Sequence, residues 1–151
     1  MRSRWLVFAA TVNLCLPRLS SAGSPAHLLR RDHPDPRVIV DVLNVTGPHK
    51  RADVEREARK ALWGKIIGCY LPAAAKIPGL RGETTLTFRV GAGGDVGAVR
   101  AGSSTLGDAE LVACFEQLVG GLSLPKAPSA SEASMQIHVA PGDPPGATRP
   151  H

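Results

Sequence analysis

Residues 64–90 read GKIIGCYLPAAAKIPGLRGETTLTFRV, and this stretch decides the fold. It joins the end of an apolar-faced helix to a Pro-Gly turn at residues 78–79 and then to a strand. Polar and apolar residues alternate along the strand, with one face formed by Thr84, Leu86, Phe88 and Val90. This alternation predicts an antiparallel sheet that is covered on one side and solvated on the other.

The helix that ends in this stretch is predicted over residues 53–71. Its apolar residues recur at steps of three and four, which indicates one buried stripe of Val54, Ala58, Ala61 with Leu62, Ile66, and Cys69 with Tyr70. Pro72 cannot donate a hydrogen bond to the helical ladder, so it predicts an end or a kink near residues 70–71. Trp63 lies off the stripe and is a candidate contact residue.

A second helix is predicted over residues 105–122, where Thr105 and Asp108 resemble a capping box and a Gly-Gly pair ends the periodic pattern. Its buried stripe consists of Leu111, Phe115, Leu118 and Leu122. Further strands are predicted over residues 37–45, 96–101 and 135–139. The order β-α-β-β-α-β predicts an α+β two-layer domain with a mainly antiparallel sheet and both helices on one face.

The N-terminal 22 residues have the features of a secretory signal peptide: basic residues, an apolar run over residues 5–16 and small residues before Gly23. The apolar run is too short to cross ~30 Å of hydrocarbon, so no stable membrane span is expected after cleavage. Residues 23–36 are predicted to be a disordered lead-in, residues 37–143 the domain, and residues 144–151 a disordered tail. A periplasmic or secreted protein is therefore expected.

The positive charge of the chain belongs partly to this leader. The whole chain has 18 Lys+Arg and 13 Asp+Glu, a net charge of +5. The leader contains Arg2, Arg4 and Arg18 and no acidic residue, so cleavage leaves 15 − 13 = +2. Because the remaining charge is small and aromatic residues are few, nucleic acid is not expected as a partner.

Two cysteines, Cys69 and Cys114, remain once the leader has been removed with Cys15. An exported protein meets a compartment that permits disulfides, and each cysteine lies on or beside the buried face of its own helix. These observations predict a helix-to-helix disulfide, with two buried free thiols as the alternative.

The sequence contains no GxSxG, HExxH or CxxC motif and no pattern that combines cysteines with histidines at metal-ligand spacing. No catalytic, cofactor or metal site is therefore predicted. A set of Ser103 or Ser104 with His49 and Asp41 is a weak alternative for Ser/His/Asp chemistry. The glycine-rich residues 91–97 lack the Lys-Ser/Thr of a phosphate loop and predict a hairpin turn.

Several short motifs stand out along the chain: IxxCY at residues 66–70, PGLxG at 78–82, TxTFxV at 85–90, the Asp-to-Cys spacing of 108–114 and LPxxP at 124–128. Together they resemble the AgmX/PglI-type C-terminal domain, a TonB-C-terminal-like family of myxobacterial envelope proteins. The resemblance covers residues 37–143. It implies a non-catalytic, envelope-associated domain, with namesakes in motility and trafficking machinery, to which an extended peptide adds at a sheet edge.

The leading hypothesis is therefore an exported interaction domain that binds an envelope protein or peptide. The predicted partner contacts are Trp63 and the hairpin strand at residues 96–101, with Val96 and Val99. One alternative is a small exported hydrolase or thiol enzyme that uses Cys69 or Cys114. Another is a carrier of a small ligand held between sheet and helices.

Overall fold

The computed structural model describes residues 35–142, in which two helices cover a four-stranded antiparallel sheet. The predicted signal peptide, all but the end of the predicted lead-in, and the predicted tail lie outside the described residues. The predicted element order is confirmed: β1 (Arg37–Thr46), α1 (Arg51–Lys76), β2 (Gly82–Val90), β3 (Val96–Ser104), α2 (Ala109–Gly120) and β4 (Ser131–Ala140). The strands lie in the order β1-β4-β2-β3, so β1 and β3 form the edges.

One face of the sheet is buried, as the alternation in β2 predicts. Every second residue of β2 and β4, and of β1 as far as Val42, faces the helices, and the buried residues of α1 and α2 belong to the same core. Residues at the centre of this core are almost completely buried: Leu62, Ile66, Leu86, Phe115, Met135 and Ile137. Both helices therefore pack on one side of the sheet, and the outward-facing positions of β1, β2 and β4 remain outside the core.

Helix α1 continues through Pro72 to Lys76, so the end predicted near residues 70–71 is wrong. Pro72 removes one N–H from the ladder, which leaves the carbonyl of Gly68 without its helical donor. Both residues are exposed, so water can bind that carbonyl. Ala73 on the next turn is buried, and its packing gives the last turn a reason to stay helical.

A buried hydrogen bond fixes the chain where it leaves α1. The hydroxyl of Tyr70 donates to the carbonyl oxygen of Leu80 at 2.6 Å. Burial raises the pKa of the Tyr70 phenol, which keeps the hydroxyl in the protonated form that this bond requires. The bond spans the Pro-Gly turn and thereby sets where β2 begins.

Helix α2 begins at Ala109, four residues later than predicted, because Asp108 is its N-cap. The Asp108 carboxylate accepts a hydrogen bond from the backbone N–H of Leu111 at 3.0 Å. Thr105 instead belongs to the strand side, where its hydroxyl accepts from the N–H of Glu83 at 3.0 Å. Val119 occupies the buried stripe in place of Leu118, which is only partly buried.

Strands β3 and β4 are longer than predicted. β3 continues to Ser104, which pairs with Thr84, and β4 begins at Ser131, which pairs with Val90. The added residues are Gly, Ser, Ala and Glu, which have little strand preference of their own. Pairing with β2 on both sides determines their conformation.

The proline in α1 gives a prediction for stability. Replacing Pro72 by alanine restores a helical donor to Gly68, and we expect the free energy of unfolding to rise by roughly 1–3 kcal/mol. Chemical denaturation monitored by circular dichroism measures this change. Gly64→Ala is the matched control, because a Cβ at Gly64 meets nothing within 4 Å, and it should add about 1 kcal/mol from helix propensity alone. A Pro72→Ala protein no more stable than the wild type would contradict this account of the helix.

Candidate functional site

A disulfide between Cys69 and Cys114 joins the two helices. Their Cα atoms are 6.2 Å apart, and 45 residues of sequence separate them. An ion pair between Lys76 and Glu110, at 2.8 Å, crosses the same pair of helices at their exposed side. The predicted disulfide pairing is therefore present in the structure, and it ties α1 to α2 next to the core.

The two cysteines also line a small surface depression of about 220 Å³ together with Pro72, Lys76 and Glu110. Both are partly exposed rather than fully buried. Thiol chemistry requires a thiolate, and in the bonded state each sulfur is already joined to the other. A thiol enzyme at this place would first need a reductant.

The weak Ser/His/Asp alternative is not assembled. Asp41 lies in β1, whereas Ser103 and Ser104 end β3, so two strands stand between them. At the usual strand spacing this places them about 14 Å apart across the sheet. His49 pairs with a different serine, Ser131.

The pair of His49 and Ser131 is a buried staple between the loop before α1 and the start of β4. The Nδ1 atom of His49 lies 2.8 Å from the Ser131 hydroxyl, and its Nε2 atom lies 3.1 Å from the carbonyl oxygen of Pro125. A carbonyl only accepts, so Nε2 carries the proton and Nδ1 accepts from the hydroxyl. The backbone N–H of His49 also donates to the Ser131 oxygen at 3.2 Å.

This geometry resembles a nucleophile with its base, but its burial argues for a structural role. Ser131 is 3% exposed and His49 is 8% exposed. Gly47 closes over the serine, because any Cβ at Gly47 would collide with the Ser131 side chain, and its φ of 128° favours glycine. The Ser131 hydroxyl is therefore enclosed by His49 and Gly47, and sequence spacing could not have revealed this pairing of residues 82 apart.

The glycine-rich turn predicted at residues 91–97 is hydrogen-bonded to the crossover between α2 and β4. The crossover bonds to it through Leu124 N–H to the Gly94 carbonyl at 2.8 Å and Ala127 N–H to the Ala92 carbonyl at 3.0 Å. Gly94 has a φ of 91°, and any Cβ there would collide with the Leu124 carbonyl oxygen. The glycine is thus required by a close backbone approach as well as by the turn.

The residues predicted as partner contacts lie at opposite edges of the sheet. Val96 and Val99 are in β3 and are partly buried against the core. The Cγ2 atom of Val99 lies 3.7 Å from where a Cβ of Gly120 would be, so this side chain faces α2. Trp63 is on α1 beside β1 and is 52% exposed.

The β3 edge is poorly suited to accept another strand. Its pairing with β2 shifts register twice, and Ala98 has a φ of 51°, which is unusual for a residue with a Cβ. The N–H of Ala101 donates to the carboxylate of Glu116 on α2 at 2.6 Å. Bulges and an occupied donor are devices that natural proteins use to protect a sheet edge.

The β1 edge is different. Among residues 35–142, β1 pairs with β4 alone, and its pairing is regular from Arg37 to Val42. Three of the large apolar side chains that remain exposed flank this edge: Ile39 at 49%, Leu43 at 45% and Trp63 at 52%. Within residues 35–142, the stretch from Val38 to Leu43 therefore has a strand on one side alone, and its exposed face carries the apolar Ile39 and Leu43 with Asp41 between them.

A groove of about 250 Å³ runs along this edge between β1 and α1. It is lined by Val38, Ile39, Val40, Arg59 and Trp63. The guanidinium of Arg59 lies 2.7 Å from Glu55 and 3.7 Å from Asp41, so it reaches from α1 to the edge strand. These side chains lie around the N-terminal half of β1, before the register shift between Val42 and Asn44.

Two larger depressions lie at the surface. One, of about 530 Å³, is lined by prolines and by residues of the last turns of α1, including Leu71 and Ala74. The other, of about 500 Å³, lies over the solvated side of the sheet and is lined largely by polar residues such as Thr87, Arg89 and Ser134. The first depression has α1 residues on one side and, on the other, Pro36 and Pro141, which adjoin the ends of β1 and β4.

Among residues 35–142, no three or more His, Cys, Asp and Glu side chains are grouped so that they could hold a metal ion. No helix in the same range is long and apolar enough to cross a membrane.

The structure thus defines an α+β two-layer domain with one disulfide, one buried His-Ser staple and an open apolar sheet edge. Comparison with protein-family models, curated proteins and solved structures finds no match for this chain.

The disulfide gives a prediction about covalent state and stability. Intact mass spectrometry should show two alkyl groups on Cys69 and Cys114 only after reduction, because both sulfurs are bonded beforehand. Closing a loop of this length stabilises the fold by up to about 4 kcal/mol in the chain-entropy model, so Cys69→Ser with Cys114→Ser should lower the free energy of unfolding by up to that amount. Alkylation of the native, unreduced protein at both cysteines would contradict the assignment.

The staple gives a second prediction. Ser131→Ala removes the hydroxyl that accepts from the backbone N–H of His49, so this buried donor is left unpaired. The change should lower the free energy of unfolding by about 1–3 kcal/mol. Ser134→Ala is the control, since Ser134 is on the solvated side of the same strand, and it should change stability by less than about 0.5 kcal/mol. Thermal or urea denaturation measures both. Equal losses for the two variants would show that the staple contributes nothing specific.

Proposed function

We propose that the chain is an exported, non-catalytic interaction domain of the bacterial cell envelope that binds a protein or peptide partner through the β1 edge of its sheet. The observation that carries this proposal is the stretch of β1 from Val38 to Leu43, which has β4 as its one strand neighbour within residues 35–142 and is flanked by exposed Ile39, Leu43 and Trp63. A sheet edge with exposed apolar side chains is a site where another chain can add a strand.

The backbone supplies the affinity in such a complex. An incoming strand would satisfy N–H and C=O groups of β1 that have no strand partner within residues 35–142. Side chains on alternate positions would then contact Trp63 and the groove on one side and Ile39 on the other. Burying the exposed indole and aliphatic groups adds a hydrophobic contribution, since each is about half exposed in the unbound chain.

The location in a periplasmic or extracellular compartment is part of the proposal. It is supported by the Cys69–Cys114 disulfide, which persists in oxidising compartments, and by the leader predicted from residues 1–22. A link to motility or trafficking machinery rests on the resemblance of the short motifs alone. We place the contact at β1 and Trp63 and not at the hairpin strand with Val96 and Val99, because the N–H of Ala101 in β3 is bonded to Glu116 and Ala98 has a φ of 51°.

A photo-crosslinking experiment in the cells that produce the protein tests this function. A photoreactive aromatic residue replaces Trp63 at the β1 edge in one variant and Ala98 at the β3 edge in the control. We expect adducts of higher mass from position 63 and none, or far fewer, from position 98, because only the first edge is open. Adducts formed equally at both positions, or at neither, would remove the proposal.

A further inference from the structure

The residues at the β1 edge are arranged symmetrically about Ile39. Arg37 and Asp41 lie two positions to either side, on the same exposed face as Ile39, and they carry opposite charges. Val38 and Val40 lie one position to either side and face the helices. Residues 37–41 are therefore complementary to a second, antiparallel copy of themselves, with apolar residues opposite apolar residues and a basic residue opposite an acidic one.

We infer that the partner of this edge is a second copy of the chain, paired antiparallel through β1 with the two-fold axis at Ile39. The inference rests on the proposed use of the β1 edge and names its occupant. In this register Ile39 opposes Ile39 of the other copy, and each Arg37 opposes an Asp41. Residues directly opposite in an antiparallel pair face the same side, and opposite charges there are favourable.

The groove lies at the axis of this pairing. Its strand residues are Val38, Ile39 and Val40, and Trp63 and Arg59 overhang them from α1. A two-fold axis at Ile39 brings the two exposed indoles toward each other on the helix side of the sheet. Isologous contacts of this kind use the same patch on both copies and close after two.

The charges around the axis are also compatible with a second copy. The Asp41 side chain is 52% exposed, and its Oδ1 atom lies 3.7 Å from the Arg59 guanidinium. This contact is long for an ion pair, so the Asp41 carboxylate can also accept a closer cation. Arg37 of the second copy is that cation in the proposed register. The paired segment ends before the irregularity between Val42 and Asn44, so the bulge does not interrupt it.

Sedimentation velocity on the purified chain tests this inference. We expect a concentration-dependent species of twice the monomer mass. Ile39→Lys should weaken dimerisation at least about tenfold, because it places two like charges opposite each other at the axis. Ile77→Lys is the matched control, since Ile77 is 40% exposed and lies beyond the end of α1, and it should leave the dimer intact. Circular dichroism confirms that each variant folds.

Charge reversal and cross-linking test the register. Asp41→Arg alone should weaken the dimer, and Arg37→Asp added to it should restore binding, since the exchanged pair is again complementary. Ile39→Cys should form a disulfide with its own copy under oxidation. Thr46→Cys should not, because seven residues separate it from the axis in each copy and its counterpart is roughly 46 Å away.

The outcomes separate this inference from the proposed function. A chain that stays monomeric at every concentration overturns the inference, while adducts from position 63 with a different protein would still support the proposed function. A dimer that Ile39→Lys leaves intact also overturns it, because that dimer uses another surface. Without adducts at position 63, the proposed function fails, whatever the oligomeric state of the purified chain.

Discussion

The one-sided cover of the sheet is the constraint on which the rest of the structure depends. Four strands present an apolar face to two helices, and the last strand enters between the first and the second. This insertion gives β4 two partners and leaves β1 with one. The same step that completes the core therefore creates the open edge, because a four-stranded sheet that does not close must end at two strands.

Two further interactions, one covalent and one polar, hold separate parts of the chain together. The Cys69–Cys114 disulfide holds the helices together, and the His49–Ser131 staple holds the loop before α1 to the start of β4. A domain of this size has a modest core, so ties that restrict the unfolded chain or satisfy buried polar groups contribute a large share of its stability. In the oxidised protein the two sulfurs are bonded to each other, and the Ser131 hydroxyl is bonded to His49.

The local sequence pattern was sufficient to predict the helices and strands and their order. It was insufficient to predict where each element ends and which strands lie side by side. The alternation of β2 and the stripe of α1 predicted the buried faces, because period alone decides which side is covered. The extension past Pro72 depended on the exposure of Gly68 and the burial of Ala73, and the exclusion of Thr105 from α2 depended on its contact with Glu83 in β2, which no local window contains. The choice between β1 and β3 as the open edge depended on Glu116 and on the bulges of β3.

The asymmetry between the two edges explains how an open apolar edge is compatible with a defined assembly. A strand edge that recruits copies of its own chain leads to unlimited growth when both edges accept strands. In the proposed dimer, antiparallel pairing through β1 would place the two β3 strands at the outer ends of an eight-stranded sheet. Those ends carry the strained Ala98 and the donor already bonded to Glu116, so they offer a third copy no regular ladder. Because the β3 edge is protected, association through the β1 edge would stop at two copies.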